Sequence, residues 1–193
     1  LLDASLQRRG GYDRFPRENY NTYLWAPGEV VDDGFAVPVD TDAPDGVYAI
    51  RGGLYRPKNG QALPLPLAQN DQFLDETSVV IGPLKVGGPP AKVVAQEFVP
   101  EYPLSINFGE TIALQGYDWG LEETSIRLEL YWQNLVQTDI DYTVFIHLRD
   151  EAGEIVAQVD GPPVAGEYPT SLWDSGDAIL DTFVLNLPPD IEP

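Results

Sequence analysis

Few side chains in this chain are equipped for reactive chemistry. It has one histidine, His147, and no cysteine. A serine–histidine–aspartate centre needs its nucleophile on a strained turn, and no Gly-x-Ser-x-Gly run is present. A zinc site needs three or four ligands, which a lone histidine without cysteines does not supply. His147 instead falls inside the apolar run Tyr142–Leu148, where a hydrogen-bonded structural role fits it. Acidic residues number 31, so pairs such as Glu122/Glu123 and Asp139/Asp141 arise by abundance alone. A glycosidase needs two carboxylates held about 5 to 10 Å apart across a cleft. Nothing in the spacing marks one such pair.

Two other groups of residues are candidates for binding. The first is the aromatic element Tyr20-Asn21-Thr22-Tyr23-Leu24-Trp25, which returns as Tyr168-Pro169-Thr170-Ser171-Leu172-Trp173. Exposed aromatic faces stack on sugar rings, making Tyr20, Tyr23, Trp25, Tyr168 and Trp173 glycan-binding candidates. The competing expectation is structural. Trp25 and Trp173 would plug the end of a β-sandwich while Thr22 and Thr170 bond to loop backbone, leaving the tyrosines more exposed than the tryptophans. The second group is Asp40, Asp42 and Asp45 in Asp40-Thr41-Asp42-Ala43-Pro44-Asp45-Gly46. Alternating aspartates can wrap calcium, a hard cation that takes six to eight oxygen ligands. The register is not that of an EF-hand, and a turn in which Pro44 and Gly46 direct the chain into a strand reads better. Calcium is the only cofactor these residues suggest.

The aromatic element belongs to a longer repeat. At an offset of 148 residues it continues through Asp33/Asp181, Phe35/Phe183 and Asp42/Asp190. Upstream, Leu1-Leu2-Asp3 and Asp13-Arg14-Phe15-Pro16 match Leu148-Arg149-Asp150 and Asp160-Gly161-Pro162-Pro163 at 147, a one-residue slip. Repeats of this kind mark units of structure. The best boundary is Gly87-Gly88-Pro89-Pro90, so that 1–86 form the back part of a first module. After the linker at 87–90, residues 91–193 form the front part of a second. The chain has no methionine and reads as an interior or processed piece of a longer protein.

The elements that position these residues read as strands. Ile126, Leu128, Leu130 and Trp132 alternate with polar neighbours, the period of a half-buried strand. Residues 142–148 are apolar on both faces, which predicts a central strand. Further strands are expected at 29–38, 46–55, 77–86, 92–99, 111–118, 154–160 and 178–187. Asn59-Gly60 and Glu151-Ala152-Gly153-Glu154 should close hairpins. Eighteen glycines and eighteen prolines punctuate the rest. The expected fold is all-β: an antiparallel β-sandwich, immunoglobulin/fibronectin-III-like or carbohydrate-binding-module-like, with the tandem repeat seen out of phase.

Charge and composition narrow the function further. Eleven basic against 31 acidic residues give a net charge of −20 and a pI near 4.1. That field repels phosphate backbones, which argues against nucleic acid as a partner. No apolar run reaches the roughly 18 to 20 residues that cross a bilayer. The acidity suits a protein working outside the cell.

Leu114-Gln115-Gly116-Tyr117, Leu128-Glu129-Leu130-Tyr131-Trp132, Asp141-Tyr142-Thr143-Val144-Phe145-Ile146-His147-Leu148 and Gln158-Val159-Asp160-Gly161-Pro162-Pro163 stand in a characteristic order. With the Tyr168–Trp173 element, and with Gly46-Val47-Tyr48 and Gly53-Leu54-Tyr55, this order resembles a module of large envelope proteins from Chloroflexus-type bacteria. Similar modules follow the membrane region of dolichyl-phosphate-mannosyltransferase-like glycosyltransferases. The resemblance implies an extracytoplasmic β-sandwich and does not imply catalysis, since the transferase's acidic catalytic residues lie in the membrane part. The leading expectation is a non-catalytic structural or adhesive module of an extracellular or cell-surface protein. It would assemble with neighbouring modules or identical chains. The alternative is an accessory domain of an integral-membrane glycosyltransferase, with cell-surface glycan as a possible ligand. A stand-alone carbohydrate-binding module and a secreted hydrolase are lesser alternatives.

Overall fold

The structure is a computed structural model that describes residues 1–69, 72–94 and 99–189. It is all-β with antiparallel sheets and three short 3-10 turns. Two compact units divide it: Leu1–Pro44 with Tyr48–Leu84, and Asp45–Val47 with Lys85–Pro193.

The first unit is built on a three-stranded sheet. Its strands are β1 (Leu2–Asp3), β2 (Gly46–Gly52) and β7 (Val79–Val86), in the order β1–β2–β7. Leu2 stands opposite Ala49, and Asp3 opposite Tyr48. Between β2 and β7 lie two hairpins, β3 (Tyr55–Lys58) with β4 (Gln61–Pro64) and β5 (Ala68–Gln69) with β6 (Gln72–Phe73). Asn59 and Gly60 both have positive φ, 52° and 76°, as the two-residue Asn-Gly turn requires. Leu1 and Tyr48 are this unit's buried hydrophobics among the described residues. Expected strand 29–38 does not form, and Val30 and Phe35 are exposed.

The second unit holds the main core. Its strands are β8 (Tyr102–Phe108), β9 (Ile112–Leu121), β10 (Ser125–Asn134), β11 (Val144–Arg149), β12 (Ile155–Gly161) and β13 (Ala178–Asn186). Four of them form one sheet in the order β13–β10–β9–β8, while β11 and β12 form a second. The alternation read in 126–132 places Leu130 and Trp132 in the core with Ile112, Ile179, Phe183 and Leu185. Val144, Ile146 and Leu148 of β11 and Val159 of β12 pack against that cluster, completing a two-layered sandwich. Each large side chain fully buried there contributes about 1.5–3 kcal/mol. Strand β8 was not anticipated; its apolar residues alternate, but it is an edge strand holding Pro103. Of expected strand 92–99, residues 95–98 lie outside the described residues, and Val94 makes one bridge to Ile179.

The chain divides at Leu84/Lys85, near the glycine–proline boundary read from the sequence, but the second unit also takes Asp45–Val47. The reason is local packing. The Asp45 carboxylate lies against the backbone of Gly87 and Gly88, leaving no room for a Cβ at Gly87, and Gly46 sits against Pro90.

Candidate functional site

Residues 168–177 form a closed loop of hydrogen bonds around a 3-10 turn at Thr170–Leu172. The Trp173 indole donates to the Tyr168 carbonyl at 2.9 Å. The Tyr168 hydroxyl donates to Asp177 Oδ2 at 2.7 Å, and the same oxygen accepts from the Asp174 amide at 2.9 Å. Lys85 Nζ reaches the Tyr168 hydroxyl at 3.3 Å. Thr170 Oγ1 clamps the entry to β11, donating to the Ile140 carbonyl at 2.7 Å and accepting from the Tyr142 amide at 2.9 Å. Tyr168 and Trp173 are 0% exposed. Burial first, and the Asp177 carboxylate second, push the Tyr168 phenol well above its ordinary value.

These positions correct the glycan-binding expectation for Tyr168 and Trp173. Neither Tyr168 nor Trp173 offers a face to a sugar, and Tyr168 is not the exposed member of the pair. Trp173 fills the core while Thr170 ties down backbone.

Residues 20–29 build a similar loop. Trp25 Nε1 donates to the Tyr20 carbonyl at 3.2 Å, and the Tyr20 hydroxyl donates to Glu29 Oε1 at 2.7 Å. The Ala26 amide donates to Glu29 Oε2 at 2.8 Å. Tyr20–Trp25 ring centroids are 6.4 Å apart, against 6.2 Å for Tyr168–Trp173. The surroundings differ. Tyr20 and Trp25 are half-buried, and Tyr23 is 80% exposed.

The correspondence extends upstream at the 147-residue offset. Asp3 Oδ1 accepts from the Gln7 amide at 2.9 Å, as Asp150 Oδ1 does from the Glu154 amide at 2.9 Å. Leu6 and Gly153, at matching positions, both have positive φ. The Arg17 amide donates to Asp33 Oδ1 at 2.9 Å, and the Val164 amide to Asp181 Oδ1 at 2.8 Å. The positive-φ pairs Arg17/Glu18 and Val164/Ala165 also match. Glu167 is the extra residue that changes the offset from 147 to 148.

Asp33 and Asp181 diverge in their surroundings. Asp33 accepts from the Arg17 amide and pairs with Arg14, which hold its carboxyl below the usual range. Asp181 is 1% exposed, and burial pushes its carboxyl up against the opposing pull of the Val164 amide. The Trp132 indole near it lies outside hydrogen-bond geometry.

Of the calcium candidates, Asp40 and Asp42 lie in the first unit and Asp45 in the second. The Ala43 amide donates to the Asp40 carbonyl at 3.0 Å, closing a turn, and Asp45 packs against the glycine linker in the second unit. Among the described residues no three His, Cys, Asp or Glu side chains form a group able to hold a metal. His147 stands opposite Gln158 in the β11–β12 pair and tilts against Phe145, with centroids 5.2 Å apart.

A different feature of the second unit was missed by sequence reasoning. An apolar cleft of about 520 Å³ is lined by Phe108, Ile112 and Trp132 of the four-stranded sheet and by Tyr142–Phe145, which lead into and begin β11 of the other. Thr170 and Trp173 line its floor. Along it runs β11, which has β12 as its one strand neighbour among the described residues. Residues 142–148 were expected to form a central strand; β11 is instead an edge. Phe145 is 70% exposed. A run apolar on both faces reads as a central strand, and an edge of that composition is unusual. Compared with known protein families, curated proteins and solved structures, the chain matches none.

Proposed function

We propose that this chain is a non-catalytic β-sandwich module of an extracellular or cell-surface protein, and that it assembles with neighbouring modules or identical chains. The observation that carries this reading is the apolar edge strand β11 beside an apolar cleft. Such an edge is a template for strand addition, and proteins that do not use one usually blunt it with charge, proline or a covering loop. The repeated aromatic and acidic residues support the reading, because in both copies they are occupied in holding one loop shape. The net charge of −20 fits an extracytoplasmic setting.

Sedimentation velocity from micromolar to millimolar concentration tests the proposal. Mass should grow with concentration, or on adding the adjoining module. A chain that stays monomeric throughout and gains no mass with that module overturns it.

A second reading rests on Tyr23. Its exposed ring, next to half-buried Tyr20 and Trp25, suits an accessory glycan-binding domain of a membrane glycosyltransferase. Glycan-array binding abolished by Tyr23→Ala would favour it, and absence of binding to any glycan would remove it.

A further inference from the structure

We infer that the open edge of β11 receives strand β2 of a second copy of this chain, in the place β1 holds within one chain. This deepens the assembly reading and rests on it. The occupant is identified by the chain's own duplication. Residues 1–10 are built as residues 148–157 are. Asp3 and Asp150 close the same turn, with Leu6 N donating to Asp3 O at 2.9 Å and Gly153 N to Asp150 O at 3.0 Å. The bridge Leu2–Arg8 corresponds to the pair Arg149–Ile155. One of these hairpins has β2 on its outer edge, through β1. The other, β11–β12, has no strand there among the described residues.

The β1–β2 register transfers directly. Leu2 opposite Ala49 becomes Arg149 opposite Ala49, and Asp3 opposite Tyr48 becomes Asp150 opposite Tyr48. Extending it sets Leu148 opposite Ile50, His147 opposite Arg51 and Ile146 opposite Gly52. Directly opposed residues share a face of a sheet. Ile50 therefore arrives on the core side with Leu148, which already packs against the buried cluster. Arg51 arrives with His147 on the other side. The exchange also lengthens the ladder, because β1 offers β2 two residues and this register offers it four of β11, Ile146 to Arg149.

The contact runs head to tail, and a heterologous contact of this kind propagates into an open chain of copies unless it closes as a ring.

The absence of native cysteine makes the test clean. Single variants His147→Cys and Arg51→Cys, at partly exposed and exposed positions, are mixed and oxidised. The expected product is a disulfide-linked heterodimer joining residue 147 of one chain to residue 51 of another. The His147→Cys and Ile50→Cys pair, one residue out of register, should give at least tenfold less. No excess over that control overturns the inference, as does a doubly substituted chain that closes only on itself. Hydrogen exchange on the unmodified protein gives a second readout. With rising concentration, amides of 146–149 should gain protection while those of 2–3 lose it. Protection arising elsewhere overturns the inference. Growth in mass without the heterodimer removes this partner and leaves the assembly reading standing; a strictly monomeric chain removes both.

Discussion

Thr170 and Thr22 occupy equivalent places, and one is worth far more than the other. The Thr170 hydroxyl satisfies a carbonyl and an amide at the entry to β11, whereas exposed Thr22 lends only its backbone carbonyl to the turn. Thr170→Val should cost about 2 kcal/mol by leaving both groups unpaired. Thr22→Val should cost less than about 0.5 kcal/mol. Urea denaturation of the two variants checks the contrast. Asp181 makes a pH prediction. Its folded pKa is raised, so the native state binds its proton more tightly than the unfolded chain does. Stability from this residue is therefore greatest below the ordinary carboxylate value and falls as pH rises through the raised one. Asp181→Asn keeps an acceptor for the Val164 amide, and should raise the thermal midpoint at pH 7 while leaving it unchanged at pH 3. Asp3, Asp33 and Glu29 act oppositely: their carboxyls are held low by hydrogen bonds, so their contribution fades as pH falls through those depressed values.

Among the elements, what could be read in advance were those whose signal is local. Ile126–Trp132 alternates, and β10 formed around it; Asn59-Gly60 and Gly153 demanded positive φ, and both hairpins closed there. Segment 29–38 carries an apolar pattern like that of 178–187 yet forms no strand. Pairing explains the difference, since β13 lies along β10 over nine residues and the chain has no second strand of β10's kind among the described residues. A pattern states that a segment suits a sheet; a neighbour decides whether it joins one. The same reasoning explains why the cleft was not foreseen, since Phe108, Trp132 and Phe145 come from three strands and share no local spacing. The turn at Gly153 allows a further test. Gly153 has φ 84°, so Gly153→Ala should cost about 1 kcal/mol by forcing a Cβ into the left-handed region. Differential scanning calorimetry should show that loss in the second unit's transition.

For the whole molecule, charge opposes association. The first unit carries seven basic against eleven acidic residues and the second four against twenty, so both are net negative. Salt relieves that repulsion as it shortens the Debye length from about 10 Å at 0.1 M to about 3 Å at 1 M. The dissociation constant for self-association should therefore fall over that range in sedimentation equilibrium; a rise would show that opposite charges meet at the contact.

The paired aromatic loops also make the chain its own optical reference. Trp25 and Trp173 have the same hydrogen-bond acceptor and the same tyrosine neighbour, yet one is half-solvated and the other is sealed. With Trp119 and Trp132 replaced by phenylalanine, two matched emitters remain in different dielectrics. Their difference in emission wavelength reports water alone, and its loss on heating times the opening of the sealed copy.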